Sequence, residues 1–177
     1  MSEVSLDNSR GDKAFDAVVQ RLTVAGSMLL ITHARPDGDG LGSMQALACA
    51  ARAAGKVSHT LVPGDVPERL KLLFDRTQIA GLDDFAKLAD ACELIVIIDT
   101  HALAQLDGLA ETIGNYREKI VIIDHHSTGD PLSDTAWIDT SAAAAGIMIG
   151  EVIDELGWPM DAPIAEALLA AAMTDTG

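Results

Sequence analysis

Short apolar runs alternate with longer amphipathic stretches along this chain. Five runs are rich in Ile, Leu and Val and are bounded by turn residues, which is typical of strands; they lie at 27–32, 56–62, 93–99, 119–124 and 135–139. The third and fourth are apolar on both faces, as expected of central strands in a parallel sheet covered by helices. Helical patterns lie around these runs, at 12–26, 41–55, 67–74, 82–90, 141–157 and 162–176.

This alternation predicts an α/β fold: a doubly wound, mainly parallel five-stranded sheet with helices on both faces and right-handed crossovers. Gly26, Gly55 and Gly157 follow three of the predicted helices. We expect each of them to end its helix in the left-handed conformation. The chain has 177 residues, enough for one well-cored domain. It stops at a turn-like "TDTG" directly after a helix, which suggests a fragment of a longer protein.

Composition and charge narrow the class of protein. Apolar residues make up 49% of the chain but aromatic residues only 3%, which indicates a core of Ala, Leu, Ile and Val. No apolar run approaches the ~18 residues that span a bilayer, and the polar start "MSEVSLDNSRGDK" lacks the layout of a secretion signal. Cys49 and Cys92 fit no disulfide or zinc spacing, so we interpret both as small side chains in a reducing cytoplasm. A net charge of −15 argues against binding to duplex nucleic acid.

Acidic and histidine residues follow the predicted strands at the edge where a parallel sheet binds ligands. They are His33, Asp37 and Asp39 after the first strand, Asp99 at the end of the third, Asp124, His125 and His126 at the end of the fourth, and Asp175 at the end of the last helix. Carboxylates gathered in one crevice repel each other and raise each other's pKa. Two divalent cations would balance the four charges of Asp37, Asp39, Asp99 and Asp175.

Mixed imidazole and carboxylate ligands favour Mn²⁺, with Mg²⁺ or Co²⁺ as alternatives, over a closed zinc site. A carboxylate shared by two ions roughly 3.5–4 Å apart would hold a bridging hydroxide for in-line attack on phosphorus. Each element alone has an ordinary interpretation: Asp99 as a cap or turn residue, "PDGDG" as a turn-rich loop, and the His-His pair as structural. Their convergence on one edge favours the metal site. His59 is interpreted as a partly exposed strand residue, and His101 is left unassigned.

Four stretches stand in order along the chain: "HARPDGDGLGS" (33–43), "VIIDT" (96–100), "IDHH" (123–126) and "TDTG" (174–177). With these motifs the chain resembles the RecJ-like DHH phosphoesterase superfamily over essentially its whole length. The short spacing of the motifs and the segment "VPGDVPERLKLLF" are most similar to the branch of nano-RNases and adenosine 3′,5′-bisphosphate phosphatases. Family members continue into a substrate-binding domain of the DHHA1 type with a "GGGH" motif. That motif is absent here, so the resemblance implies a DHH catalytic domain, residues 1–177, truncated before its partner domain.

The resemblance also implies roles for individual residues. One metal ion would be held by His33, Asp37 and Asp99, and a second by Asp39, Asp99, His125 and Asp175, with Asp99 as the shared catalytic carboxylate. His126 would contact the scissile phosphate, and Asp124 would orient the neighbouring histidines. Gly40, together with Gly38 and Gly42, would let the backbone approach the metals and the substrate closely.

The implied activity is that of a cytoplasmic, manganese-dependent phosphoesterase. It would cleave short oligoribonucleotides as an exonuclease, or remove the 3′-phosphate of adenosine 3′,5′-bisphosphate. Three alternatives stay open. The substrate could be pyrophosphate, polyphosphate or a cyclic dinucleotide; the domain could be a non-catalytic metal- or nucleotide-binding module; or it could be a phosphoacceptor domain, which would explain neither His33 nor the adjacent histidine pair. Membrane contact is not expected, and a homodimer is left open.

Overall fold

A six-stranded parallel sheet lies at the centre of the molecule, in a computed structural model that describes residues 13–176. The strands are β1 (Ser27–Ile31), β2 (Val57–Leu61), β3 (Ile79–Ala80), β4 (Leu94–Ile98), β5 (Ile120–Asp124) and β6 (Ala136–Ile138). Their order across the sheet is β3-β2-β1-β4-β5-β6, and every neighbouring pair is parallel. The chain therefore reverses its direction of travel across the sheet between β1 and β4.

Helices cover both faces of this sheet. They are α1 (Lys13–Val24), α2 (Gly38–Ala53), α3 (Glu68–Leu73), α4 (Phe85–Ala91), α5 (Ala145–Glu155) and α6 (Ala162–Thr176). Short 3₁₀ segments lie at Leu82–Asp84, Leu103–Gln105 and Ile113–Lys119. Helices α1, α2, α5 and α6 pack on one face, whereas α4 and the 3₁₀ segments pack on the other. Strands β4 and β5 are buried along their whole length, so their sequences show no alternation of apolar and polar residues.

The predicted α/β class with a parallel, doubly wound sheet is confirmed. The predicted number of strands is five, whereas the sheet has six. The additional strand is β3, whose two residues pair with Thr60 and Leu61 at the edge of the sheet. Two residues carry no periodicity, so the apolar pattern could not reveal this strand.

Several predicted helix boundaries are wrong by a few residues. Helix α2 begins at Gly38 rather than at 41, because the carboxylate of Asp37 caps it by accepting the N–H of Gly40. The segment predicted as a helix over 82–90 begins as a 3₁₀ turn and becomes α-helical at Phe85. The helix predicted over 141–157 begins only at Ala145. Asp12, at the start of the first predicted helix, lies outside the described residues.

The glycines that follow helices are confirmed in two cases out of three. Gly55 and Gly157 adopt the left-handed conformation, with φ of 81° and 61°. The prediction for Gly26 is wrong, because its φ is not positive and α1 already ends at Val24. The N–H of Gly26 instead donates to the carboxylate of Glu93, 2.7 Å away.

The reversal of strand order between β1 and β4 creates a crevice at the carboxyl ends of these two strands. In open parallel α/β sheets, ligands bind at such a topological switch point. His33 follows β1 and Asp99 follows β4, so the fold brings the first and second motifs to the two sides of this crevice.

None of the helices between residues 13 and 176 combines the length and the hydropathy that crossing a bilayer requires. The two cysteines are free thiols; Cys92 is buried and Cys49 is partly buried.

Close packing of α2 against α6 generates a first prediction. A Cβ at Gly42 would lie 2.7 Å from the carbonyl oxygen of Ala167 and 2.9 Å from the Cβ of Ala171. Gly42→Ala should therefore force the two helices apart and lower the free energy of unfolding by about 1–3 kcal/mol, as measured by urea denaturation. Gly114→Ala is the matched control, because no heavy atom lies within 4 Å of its Cβ position. Equal stability of the two variants would contradict the packing argument.

Candidate metal centre

The loop between β1 and α2 presents the first pair of candidate ligands. The largely buried side chain of His33 lies directly beyond β1, and Asp37 stands four residues later at the N-cap of α2. The Nε2 atom of His33 lies 3.8 Å from Oδ1 of Asp37 and 3.6 Å from Oδ2 of Asp99. The imidazole therefore faces two carboxylates from two different loops.

Asp99 has an unusual backbone conformation. Its φ of 65° places it in the left-handed region, and it is the only non-glycine residue there among residues 13–176. Asp and Asn tolerate this region better than most residues, although it costs of order 1 kcal/mol. The N–H of Asp99 donates to the carbonyl of Ile123, 3.0 Å away, so the turn is fixed to β5. The carboxylate that this turn carries is 1% exposed.

The two oxygens of Asp99 face two separate groups of side chains. Oδ2 faces His33, as described, and Oδ1 lies 3.4 Å from Nε2 of His125. We define the first cluster as His33, Asp37 and Asp99, and the second cluster as Asp39, His125 and Asp175. Asp99 is thus a member of the first cluster and borders the second.

A hydrogen bond at Nδ1 of His125 orients Nε2 of the same ring toward the two carboxylates of the second cluster. Nδ1 lies 3.3 Å from the carbonyl oxygen of Ala142 and is placed to donate to it. Nε2 is left facing Oδ2 of Asp39 and Oδ2 of Asp175, both 3.6 Å away, in addition to Asp99. A neutral imidazole held in this way presents its Nε2 lone pair to the crevice, which is the usual arrangement of a histidine that binds a metal.

Spacing and unsatisfied atoms in the crevice fit divalent cations. Oδ1 of Asp99 and Nε2 of His125 are buried and have no hydrogen-bond partner within the described part of the chain. Separations of 3.4–3.6 Å are too long for good hydrogen bonds. They match the distance between two atoms that each lie about 2.1 Å from one ion. Mixed carboxylate and imidazole donors complete a set that hard or borderline divalent ions accept.

Asp39 is tied to a helix that lies far away in the sequence. Its Oδ2 accepts the N–H of Ala145 (2.6 Å), and its Oδ1 accepts the N–H of Gly146 (2.8 Å) and the hydroxyl of Ser43 (3.3 Å). Ala144, at the N-cap of α5, has no side chain that could bind these amides. Asp39 therefore caps α5 from another element, which explains why the helix begins at Ala145.

A buried carboxylate, Asp124, organises the histidine pair. Its Oδ1 accepts the backbone N–H groups of His125 (2.8 Å) and His126 (3.2 Å), and lies 2.8 Å from Nδ1 of His126. Its Oδ2 pairs with Nδ1 of His101. The sequence alone assigns no role to His101, and its position two residues after Asp99 is the only signal of one. His126 itself is 46% exposed at the mouth of the crevice.

Gly40 is buried and is required by packing within the chain. Its Cβ would lie 2.3 Å from Oγ1 of Thr32 and 3.2 Å from Oδ2 of Asp99. The N–H of Gly40 is already used by Asp37. Contact of Gly40 with a substrate stays a prediction. The structure adds a separate reason for a glycine here, which is the lack of space for a Cβ beside Thr32. His59 is exposed on β2 and is not part of either cluster.

Electrostatic interactions in the crevice shift the pKa values of three residues strongly. Burial disfavours the charged form of His33, but its contacts with Asp37 and Asp99 outweigh that cost and raise its pKa to about 9. The contact with Asp99 is the main cause that raises the pKa of His125 to about 9, with help from Asp39 and Asp175. Burial, followed by the charge of Asp99, raises the pKa of Asp39 to about 6.

Two other carboxyl groups are held in the charged form. Burial opposes ionisation of Asp37, yet the contact with His33 and the N–H of Gly40 lower its pKa. Burial also opposes ionisation of Asp124, and the hydrogen bonds from His126 and His101 lower its pKa nevertheless. In the crevice, the charges of His33 and His125 are therefore matched by nearby carboxylates.

The six predicted ligands lie in adjoining groups of potential metal-binding atoms, each group within 4.8 Å: His33, Asp37 and Asp99, and Asp39, His125 and Asp175. A third group combines Asp99, His125 and His126. The last residue of the fourth motif, Gly177, lies outside the described residues. The assignment of a particular ion to each group stays a prediction.

Comparison with known proteins gives one family. The model of the DHH family, N-terminal domain, matches residues 27–172. Two similar curated proteins share the name bifunctional oligoribonuclease and PAP phosphatase NrnA. The one from Bacillus subtilis is 28% identical over 163 residues, covering 90% of this chain and 49% of the relative. The one from Thermus thermophilus is 32% identical over 155 residues, covering 87% and 44%. The chain therefore spans about half the length of these relatives.

One solved structure has the same fold. The crystal structure of an exopolyphosphatase-related protein from Bacteroides fragilis aligns with a TM-score of 0.85 and 24% identity. The alignment covers 93% of this chain and 50% of the other. At this level of identity the likeness concerns the fold.

Protons and metal ions compete for the ring nitrogens of two histidines, which gives a prediction about metal binding. His33 and His125 have pKa values of about 9 without metal, so both carry a proton near pH 7.5, and both must lose it to become ligands. Apparent affinity for Mn²⁺ should therefore rise as the pH increases from about 6.5 to about 9. Calorimetry near pH 7.5, in buffers of different ionisation enthalpy, should show release of about two protons when both clusters fill. His59→Gln is the control and should leave the release unchanged; an affinity that is constant over this pH range would contradict the prediction.

The shared position of Asp99 generates a third prediction. Asp99→Asn keeps the size of the side chain and a residue type that tolerates positive φ, but it removes the charge that borders both clusters. Titration of metal-stripped protein with Mn²⁺ should show two sites in the wild type and one or none in the variant. Asp83→Asn, on an exposed 3₁₀ segment, should bind as the wild type does. Unchanged stoichiometry in Asp99→Asn would exclude a shared carboxylate.

Proposed function

The chain belongs to the DHH family, and from this membership we propose that it is a metal-dependent phosphoesterase acting on short oligoribonucleotides or on the 3′-phosphate of adenosine 3′,5′-bisphosphate. The observation that carries the proposal is the Asp99 carboxylate, whose two oxygens face two different histidine- and carboxylate-containing groups. The names of the Bacillus and Thermus relatives supply the substrate class.

Two divalent ions would be held by the residues of the crevice. His33, Asp37 and Asp99 would hold one, and Asp39, Asp99, His125 and Asp175 would hold the other. Mn²⁺ is proposed as the preferred ion, with Mg²⁺ or Co²⁺ as substitutes, because imidazole and carboxylate donors are mixed. When bound, such ions supply activation of water as a nucleophile and neutralisation of the phosphoryl charge.

The protein's own groups position the reaction. Asp124 holds Nδ1 of His126, so the opposite ring nitrogen is the one available to a phosphate oxygen at the mouth of the crevice. We propose that His126 binds the scissile phosphate as an imidazolium, with one N–H donated to Asp124 and the other to a phosphate oxygen, and so stabilises the charge that develops there. His101 holds the second oxygen of Asp124 and so limits the rotation of that carboxylate. The carboxylate of Asp39 keeps its orientation by accepting two backbone N–H groups of α5, and Asp99 is carried on a turn whose N–H donates to Ile123.

The small size of the proposed substrate agrees with the charge of the protein. A chain with a net charge of −15 repels a long polyanion, so duplex nucleic acid is not proposed as a partner. Local charge balance in the crevice instead favours a ligand with few phosphates. The free thiols of Cys49 and Cys92 agree with the cytoplasmic location that we propose.

Hydrolysis assays with Mn²⁺ test this function. The wild-type chain should release phosphate from adenosine 3′,5′-bisphosphate or mononucleotides from a short RNA. His126→Ala should lower kcat by about 10²-fold or more, without changing the Mn²⁺ stoichiometry, because the residue would contact substrate rather than metal. His59→Ala is the matched control on the exposed strand face.

Each other outcome points to a different function. Hydrolysis of pyrophosphate, polyphosphate or a cyclic dinucleotide alone would move the activity to another substrate class of the superfamily. Two bound ions without hydrolysis of any phosphoester would indicate a non-catalytic module. Loss of both metal binding and activity in His126→Ala would assign His126 to the third group of potential ligands, with Asp99 and His125.

A further inference from the structure

A cavity of about 300 Å³ adjoins the first cluster. Its walls come from the loop after β1 and the segment after β4: His33, Ala34, Arg35, Ala104, Gln105 and Asp107. His33 belongs both to this wall and to the first cluster, so a ligand in the cavity would extend from the crevice. The volume lies at the lower end of the range for small-molecule sites, which suits one part of a nucleotide.

Arg35 is exposed, and its guanidinium has no hydrogen bond or ion pair within residues 13–176. Four other arginines have partners: Arg21 and Arg52 donate to carbonyl oxygens, whereas Arg76 and Arg117 face carboxylates. Arg69 on α3 is exposed and, like Arg35, has no such partner within residues 13–176. What distinguishes Arg35 is its place: it lines a cavity that His33 of the first cluster also lines, so its guanidinium can meet an anion that extends from the crevice. Guanidinium groups recognise phosphate through paired, charge-assisted hydrogen bonds.

The backbone that carries Arg35 is fixed on both sides, although its side chain is free. The N–H of Ala34 donates to the carbonyl of Gln105, 2.8 Å away, which joins the two walls of the cavity. The carbonyl oxygen of Ala34 is pressed against Gly64, where a Cβ would lie only 1.9 Å from it. Pro36 follows and is buried. A fixed backbone places the guanidinium reproducibly, so less order has to be imposed when a ligand binds.

Two further side chains define the ligand chemistry. The side-chain carbonyl of Gln105 accepts the hydroxyl of Thr100, which leaves its amide group as a donor at the cavity. Asp107 also lines the cavity but forms no ion pair with Arg35 in the described structure. Its carboxylate would repel a bare anion and would accept a hydroxyl. The combination therefore suits a phosphate ester next to a sugar hydroxyl better than inorganic phosphate.

We propose that this cavity binds a second, uncleaved phosphate of a nucleotide substrate, with Arg35 as its main contact. The inference rests on the proposed function and makes it more specific: substrates with two phosphate groups on one nucleoside or short oligonucleotide are preferred over those with one. Arg35 determines this preference and takes no part in bond cleavage.

Equilibrium binding tests the proposal without turnover. Adenosine 3′,5′-bisphosphate and adenosine 3′-monophosphate are titrated by calorimetry into the wild-type chain with Ca²⁺ in place of Mn²⁺. The bisphosphate should bind about tenfold or more tightly. Arg35→Gln should remove most of this preference by lowering the affinity for the bisphosphate alone. The affinity for the monophosphate should change by less than about twofold. Arg69→Gln is the matched control and should keep the preference, because Arg69 is exposed on α3 and has no hydrogen-bond or ion-pair partner within residues 13–176.

Three results would overturn the proposal. The wild type could bind both nucleotides with equal affinity, Arg35→Gln could lose the same affinity for both nucleotides, or Arg69→Gln could reduce the preference as much as Arg35→Gln does. Failure of the proposed function is distinguished by hydrolysis with Mn²⁺. If neither nucleotide is hydrolysed but the Arg35-dependent preference persists, the cavity binds the second phosphate of a ligand that is not a substrate. If hydrolysis occurs without that preference, the phosphoesterase assignment stands and the cavity has no such role.

Discussion

Repulsion among carboxylates at the switch point of the sheet is the constraint on which the site depends. Asp37, Asp39, Asp99 and Asp175 enter one crevice, in a chain that already has a large negative charge. Without metal, protons on His33 and His125 offset these charges, which is why the two imidazoles become much more basic. Divalent ions would take over the same task. The crevice thus holds positive charge in either state, and the arrangement of ligands can persist through the exchange.

The same hydrogen bonds that begin and end the secondary structures also orient these ligands. Asp37 caps α2, Asp39 caps α5, and Asp124 ends β5 while holding the histidine pair. Asp99 turns on a left-handed residue that is fixed to the neighbouring strand. Groups held in this way need little reorganisation when a charged ligand arrives. Precision in the site therefore comes from the fold itself rather than from a separate set of supporting residues.

Local patterns were sufficient to predict the parallel sheet apart from β3 and the group of acidic and histidine residues near its strand ends, because apolar runs and the residues that follow them are adjacent in sequence. The choice of six of these residues as ligands came from the family resemblance. What the patterns missed depends on contacts between distant residues. The bond from Asp39 to α5 joins positions 106 and 107 residues apart, so the alanine-rich stretch before Ala145 could not reveal where the helix begins. His101 is similar: its partner, Asp124, lies on another strand. The two-residue strand β3 was too short to produce a pattern, and the reason for Gly40 became visible only through Thr32.

The candidate ligands are buried to different extents, and this limits which of them can be substituted during evolution. Asp39 and Asp99 are almost fully buried, and replacing Asp39 would also uncap α5. The side chains of Asp37 and Asp175 are 56% and 36% exposed. Substitution of Asp175 is therefore compatible with folding, whereas Asp37 and Asp39 also have structural roles as the caps of α2 and α5. If the proposed activity were lost in a related domain, Asp39 would still be favoured as the cap of α5, so its presence alone would not identify an enzyme.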